Sequence, residues 1–193
     1  VNAHKSFYAR RVSAADEAPC VHRIARALGA HDDVIVRTRN ATAACHNVIR
    51  RYRGLGKGDA VLIADIDYPH FKSHMHWLGD GRGVRVVEIE IPTRANQAEI
   101  RQLYQKAFAA NPDLKLMLIT HVSNQHGLVV PVAEIAAEAR GRGIDVVCDA
   151  AEGGGLLAYR VGDLGGDWVG VIRLRGRGAG GGAGAGDGRG GAV

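Results

Sequence analysis

Short apolar runs of strand length alternate with helically spaced stretches through most of this chain, and that alternation restricts its fold more than any other feature. The first run, 60–64, is Ala-Val-Leu-Ile-Ala behind Gly58-Asp59 and reads as a buried strand. Runs at 84–89, 116–120 and 144–149 read the same way, and 168–172 makes a fifth. Between them, 41–52, 95–110 and 132–140 carry helix formers at apolar spacing. Pro131 suits a helix start, and Gly141 or Gly143 a helix stop. Strands and helices alternating at these lengths imply an α/β domain with a mostly parallel sheet. Such sheets hold their ligands beyond the carboxyl ends of the strands, so the loops there are where chemistry belongs.

The 193 residues are 46% hydrophobic and 23% charged, enough for one domain with a sizeable core and too apolar for a globally disordered chain. No apolar run approaches the ~20 residues that a membrane-spanning helix needs, which argues against integral membrane insertion. The opening Val1-Asn2-Ala3-His4-Lys5 has neither an apolar signal core nor an initiator Met, so a lost leader stays open. Cys20, Cys45 and Cys148 are odd in number, far apart and outside any Cys-x-x-Cys pair. They read as reduced thiols of a cytoplasmic protein.

The net charge of +5 resembles a nucleic-acid signal until it is located. Arg173, Arg175, Arg177 and Arg189 face only Asp187 in the last stretch, so the body is nearly neutral and nucleic acid is not the expected partner. Gly supplies 10 of the 18 residues from 176 to 193, with no aromatic and no apolar period. The chain therefore divides into a body, 1–172, and a Gly/Arg-rich tail, 173–193, expected to be disordered.

Four polar clusters occupy the loops of interest. Thr38-Arg39-Asn40-Ala41-Thr42 stands where a helix begins, and free amides with the positive dipole end suit a phosphate there. Asn40 or Thr42 as a plain helix cap explains the same residues. Asp65-Ile66-Asp67-Tyr68-Pro69-His70 follows the first strand, where Tyr68 can stack on a flat ligand or simply pack in the loop. His70, His74 and His76 lack the further convergent ligands of a metal site and read as solvated helix residues. Thr120-His121-Val122-Ser123-Asn124 follows the third strand, and Asp149-Ala150-Ala151-Glu152 the fourth. A carboxylate ending a buried strand is costly unless something pairs with it. Asp149 either meets a protonated ring nitrogen or caps the next turn.

Taken in order, Thr38 to Thr42, Asp67-Tyr68-Pro69, Thr120 to Asn124 with Gly127 and Pro131, and Val147-Cys148-Asp149-Ala150-Ala151 carry a resemblance. The chain resembles the class V aminotransferase family of pyridoxal-phosphate enzymes, fold type I, over about 2–170. The likeness is strongest to the isopenicillin-N-epimerase-like and cysteine-desulfurase-like branch. It implies a three-layer α/β fold like the large domain of those transferases, incomplete at the C-terminus. It also implies pyridoxal 5′-phosphate as cofactor, an amino acid as substrate and, as in intact relatives, a homodimer. Roles follow from the same resemblance: Ala41 and Thr42 receive the cofactor phosphate, Tyr68 lies over the pyridine ring, and Asn124 bonds the ring hydroxyl oxygen. Asp149 pairs with the pyridinium nitrogen and keeps it protonated, so that the ring accepts electrons from a broken Cα bond.

Two departures from the family pattern qualify this. Glu152 stands where the family has Gln or His near the ring oxygen, and a carboxylate there repels a phenolate unless protonated. After Asp167-Trp168-Val169-Gly170 the family reaches a Ser/Leu-His-Lys motif whose lysine binds the cofactor covalently and shuttles the substrate proton. This chain runs Val171-Ile172-Arg173-Leu174-Arg175-Gly176 instead, and its last lysine is Lys115. The compositional break reads as a shifted reading frame or a fragmentary gene. The implied chemistry is transamination, epimerisation or elimination on an amino acid, with little turnover from this chain. The alternatives are a non-catalytic remnant, or a nucleic-acid binder using the Gly/Arg tail, which lacks the aromatics such segments interleave.

Overall fold

Val, Ile and Leu dominate the predicted runs, and the three central ones form strands covered by helices on both faces, as a parallel sheet requires. The computed structural model describes residues 13–153 and 156–171. Its strands are β1 (Ala60–Ala64), β2 (Arg85–Ile89), β3 (Leu114–Thr120), β4 (Asp145–Asp149) and β5 (Trp168–Gly170). They lie in the order β2-β1-β3-β4-β5, and every neighbouring pair is parallel. The third run begins two residues earlier than its apolar pattern suggested, at Leu114, and the fifth strand ends at Gly170. The tail at 173–193 lies outside the described residues.

Five helices accompany the sheet among the described residues: α1 (Ser13–Leu28), α2 (Ala41–Arg51), α3 (Pro69–Arg82), α4 (Gln97–Ala110) and α5 (Val132–Gly141). The three helices picked out by spacing are α2, α4 and α5. Residues 95 and 96 stay outside α4 because Asn96 caps it, exchanging hydrogen bonds with Glu99 in a capping box. α1 is not among those picked out: Pro19 lies inside it, and a proline ordinarily argues against a helix interior. In α3 the histidines and two glycines dilute the pattern, yet Phe71, Met75 and Leu78 sit at i, i+4 and i+7 and are fully buried. Each such side chain contributes about 1.5–3 kcal/mol by leaving water.

Strand alternation splits the core into two layers. Val61, Ile63, Leu116, Leu118 and Val147 point to the face covered by Cys45 and Ile49 of α2 and the buried stripe of α3. Leu62, Met117, Ile119 and Val146 point to the other face, against Ile100, Tyr104 and Phe108 of α4 and Ile135 of α5. The result is the expected three-layer α/β arrangement. The chain moves from β1 through α3 to β2, then returns through α4 to β3 on the far side of β1. The direction of winding thus reverses between β1 and β3, which opens a crevice at their carboxyl ends.

Candidate cofactor site

The loops after β1, β3 and β4 and the start of α2 meet at that carboxyl edge. β4 places Asp149 opposite Thr120 of β3 on one side and Gly170 of β5 on the other. The Asp149 carbonyl accepts the His121 amide at 2.8 Å, and its side chain is 7% exposed. One carboxylate oxygen, Oδ1, accepts the Ala151 amide at 3.1 Å, so the acid does cap the following turn. No cation stands against it among the described residues. Burial pushes its carboxyl up to about 6, against the pull of the Ala151 hydrogen bond, and the charge of Glu152 adds to the rise. Glu152 itself is exposed.

α2 packs on β4 and β5 because Gly170 has no side chain. Cys45 Sγ and the Ala41 carbonyl close over Gly170, bringing the first turn of the helix one strand away from Asp149. Asn40 caps this helix: its side chain accepts the Ala43 amide at 2.7 Å and its carbonyl accepts the Ala44 amide at 3.1 Å. The amides of Ala41 and Thr42 find no acceptor among the described residues, which is the usual state of a helix start and the basis of anion binding there. Ala41 is buried and Thr42 half-buried. Capping by Asn40 and anion binding by the next two amides are therefore compatible rather than alternative.

Tyr68 directly precedes α3 and is half-buried on the same face of the sheet as α2. Its ring packs against Phe71 at 5.4 Å and His70 at 5.1 Å between centroids. Asn124 is exposed on the loop after β3, whose return is tied by bonds from the Ser123 amide to Leu128 and from the Gly127 amide to Ser123. The structure thus gathers Ala41, Thr42, Tyr68 and Asp149 at one end of the sheet, and sets Asn124 and Glu152 toward solvent at the same end. The donor set fits the non-covalent half of a pyridoxal phosphate site: amides for a phosphate, an aromatic face, and a buried acid lacking a cation. Among the described residues no lysine occupies a comparable place, since Lys57, Lys106 and Lys115 are exposed elsewhere and Lys72 bonds Glu88 at 2.8 Å.

Three residues at this edge escaped the residue-by-residue reading. Asp67 is fully buried and accepts hydrogen bonds from the Ala64 amide and the Thr120 hydroxyl, each at 2.7 Å. Both residues stood in the polar clusters, but only the partner across the sheet shows that they bond. His121 lies on the opposite face, 6% exposed and edge-on to Tyr159 at 4.8 Å. Its Nδ1 is buried without a partner, and burial holds the imidazole below its usual range. Elsewhere, His46 stacks on His74 at 3.5 Å between centroids, so the α3 histidines are not all solvated.

The sequence profile of the family described as aminotransferase class-V matches residues 1–170. A rice protein (Oryza sativa subsp. japonica) provisionally named L-cysteine desulfhydrase 1 is 33% identical over 118 residues, covering 58% of this chain and 24% of that protein. Isopenicillin N epimerase of Streptomyces clavuligerus is 29% identical over 135 residues, covering 69% of this chain and 33% of the epimerase. The chain therefore spans about a third or less of the length of these curated relatives. Among solved structures, the cysteine desulfurase CsdA of Escherichia coli superposes with a TM-score of 0.73 at 23% identity, covering 84% of this chain and 40% of that one. That likeness establishes the fold, and the profile match over nearly the whole body establishes membership: the chain belongs to the aminotransferase class-V family.

Proposed function

We propose that this chain is the cofactor-binding part of a pyridoxal-phosphate enzyme acting on amino acids. One observation carries the reading: Asp149 is 7% exposed at the carboxyl edge of the sheet, with no cation against it among the described residues. A buried acid of that kind destabilises the fold unless something positive meets it, and a protonated ring nitrogen is the occupant that the family suggests. The free amides of Ala41 and Thr42 orient a phosphate. Tyr68 covers one face of a flat ring and excludes water from it. Asn124 serves the ring hydroxyl from the β3 loop. Glu152, being exposed, has its charge screened by solvent rather than set against the ring oxygen.

When bound, pyridoxal phosphate supplies an electron sink for the pair left by a bond broken at the substrate Cα. Asp149 holds a proton on the ring nitrogen, which is what makes that sink effective. Relatives described as an epimerase, a desulfhydrase and a desulfurase favour epimerisation or elimination, with transamination the family's other reaction. Because the last lysine is Lys115, the 193-residue chain binds the cofactor non-covalently and turns over poorly. Its unpaired cysteines suit the cytoplasm, and the homodimer that the resemblance implies for intact relatives is the assembly expected of the site.

Titration with pyridoxal 5′-phosphate, followed by absorbance and fluorescence, tests the reading. Saturable binding that weakens about tenfold or more in Asp149→Asn supports it. Absence of saturable binding to the unaltered chain, or equal binding by the variant, overturns it.

A further inference from the structure

Asp67 has no part in the reading above, yet its side chain is 0% exposed and it sits at the winding reversal between β1 and β3. Its Oδ2 accepts the Ala64 amide and its Oδ1 accepts the Thr120 hydroxyl, both at 2.7 Å. These are neutral donors, and no cation is paired with it among the described residues. Thr120 is in turn the register partner of Asp149 on β4. An acid in the loop after β1, a hydroxyl ending β3 and a second acid ending β4 therefore stand in a row along the carboxyl edge of the sheet.

Among the described residues, the surroundings offer this row no uncommitted positive charge. From α4, Tyr104 brings a buried hydroxyl without a hydrogen-bond partner, itself pushed up by burial and by the charges of Asp67 and Asp65. Asp65, in the same loop, accepts the Ile91 amide at 3.0 Å. From α3, Lys72 is committed to Glu88 and to the Asp65 carbonyl. From the loop after β4, Glu152 adds negative charge. Two buried acids separated by one hydroxyl, with no cation to share, cannot both ionise cheaply.

We infer that Asp67 is a positioning residue, acting through Thr120: Asp67 and Asp149 are a coupled pair, and what lies against Asp149 decides whether Asp67 is charged. With the site empty, Asp67 keeps its proton. When a cation meets Asp149, the Asp67 carboxyl releases that proton to water. The resulting carboxylate fixes the Thr120 hydroxyl as a donor toward β1, which turns the lone pairs of Thr120 toward the site. Burial, with a contribution from Asp149, pushes Asp67 up to about 7, in keeping with this geometry.

The inference concerns the site proposed for pyridoxal phosphate, but its test does not need the cofactor. Carboxyl 13C resonances of the aspartates, followed by NMR from pH 4 to 9 in the unliganded chain, report each acid directly. In Asp149→Asn the Asp67 midpoint should fall by about one pH unit. In Thr120→Val it should rise, because the hydroxyl no longer stabilises the carboxylate, and Thr120→Ser should restore it. An Asp67 midpoint unmoved by Asp149→Asn, in a variant with native chemical-shift dispersion, overturns the inference. Adding pyridoxal 5′-phosphate to the unaltered chain should lower the Asp67 midpoint and release a proton. Coupling in the free chain that ignores the cofactor upholds the pair and overturns the cofactor reading instead.

Discussion

A Cβ placed on Gly170 would stand 2.5 Å from the Sγ of Cys45, so the last residue of β5 and the second turn of α2 touch through a missing side chain. Both groups belong to rigid elements, and the thiol is buried among Ile49, Val147 and Leu118. Gly170→Ala must therefore push α2 off the sheet, at a cost of about 1–3 kcal/mol. It should also weaken phosphate binding, since the amides of Ala41 and Thr42 move with the helix. Cys45→Ala frees the space at a small cavity cost, so the double variant should be less destabilised than the two single costs added together. Urea unfolding midpoints of the four chains check this, and strict additivity would count against the contact.

Folding stability should fall as pH rises from the acid range to neutrality. Asp67 and Asp149 have folded values near 7 and 6, above the ordinary 3.8, so the folded chain binds more protons than the unfolded one in that interval. Their neutral forms stabilise the fold fully below about pH 4, and the contribution is lost as pH climbs through about 7. For Asp67 the loss is on the order of a few kcal/mol. His46 and His121 act in the opposite sense: burial holds both below the usual imidazole range, so their contribution is lost as pH falls. Where the two ranges overlap the histidines therefore blunt the decline that the acids cause. Thermal melts between pH 5 and pH 8 should show a smaller alkaline decline in Asp67→Asn than in the unaltered chain.

The layer plan was legible because it depends on local pattern: Ala60 to Ala64 and the runs ending in Thr120 and Asp149 are apolar on consecutive residues, as buried parallel strands must be. Asp149 was legible for the complementary reason, an acid closing such a run. What could not be read was anything decided by a neighbour distant in sequence. Asp67 looks like any loop acid until Thr120, 53 residues later, is brought against it. The Gly170 contact is equally silent, because a glycine before a run of Gly and Arg carries no pattern of its own. α3 was obscured by its polar face, where histidines occupy positions that solvent and α2 share.

Removing the Asn40 side chain should cost about 1 kcal/mol, the usual value of an N-cap, because the Ala43 amide loses its 2.7 Å acceptor. Asn40→Asp should retain the cap and add a favourable charge at the positive end of the helix. The same charge should repel a phosphate arriving at Ala41 and Thr42. Asn40→Asp is therefore expected to hold or raise the urea midpoint while weakening pyridoxal phosphate binding, whereas Asn40→Ala lowers the midpoint. A cap variant that changed stability and binding in parallel would argue that the phosphate goes elsewhere.

Covalent trapping provides the last test, and the position of the lysines determines its outcome. Lys115 lies near the start of β3, five residues from Thr120, or roughly 16 Å along an extended strand. Lys57 precedes β1 at the same amino edge, and Lys106 projects from α4 into solvent. Only Lys72, near the start of α3, approaches the carboxyl edge among the described residues, and its ammonium is held by Glu88 Oε1 at 2.8 Å and the Asp65 carbonyl at 3.2 Å. Borohydride reduction in the presence of pyridoxal phosphate should thus leave a sub-stoichiometric label spread over exposed lysines, mapped by peptide mass spectrometry. In Glu88→Gln the share at Lys72 should rise, because its amine is released from the ion pair. One equivalent of label on a single lysine of the unaltered chain would mean that this fold has recruited a substitute amine, and the expectation of poor turnover would then fail with it.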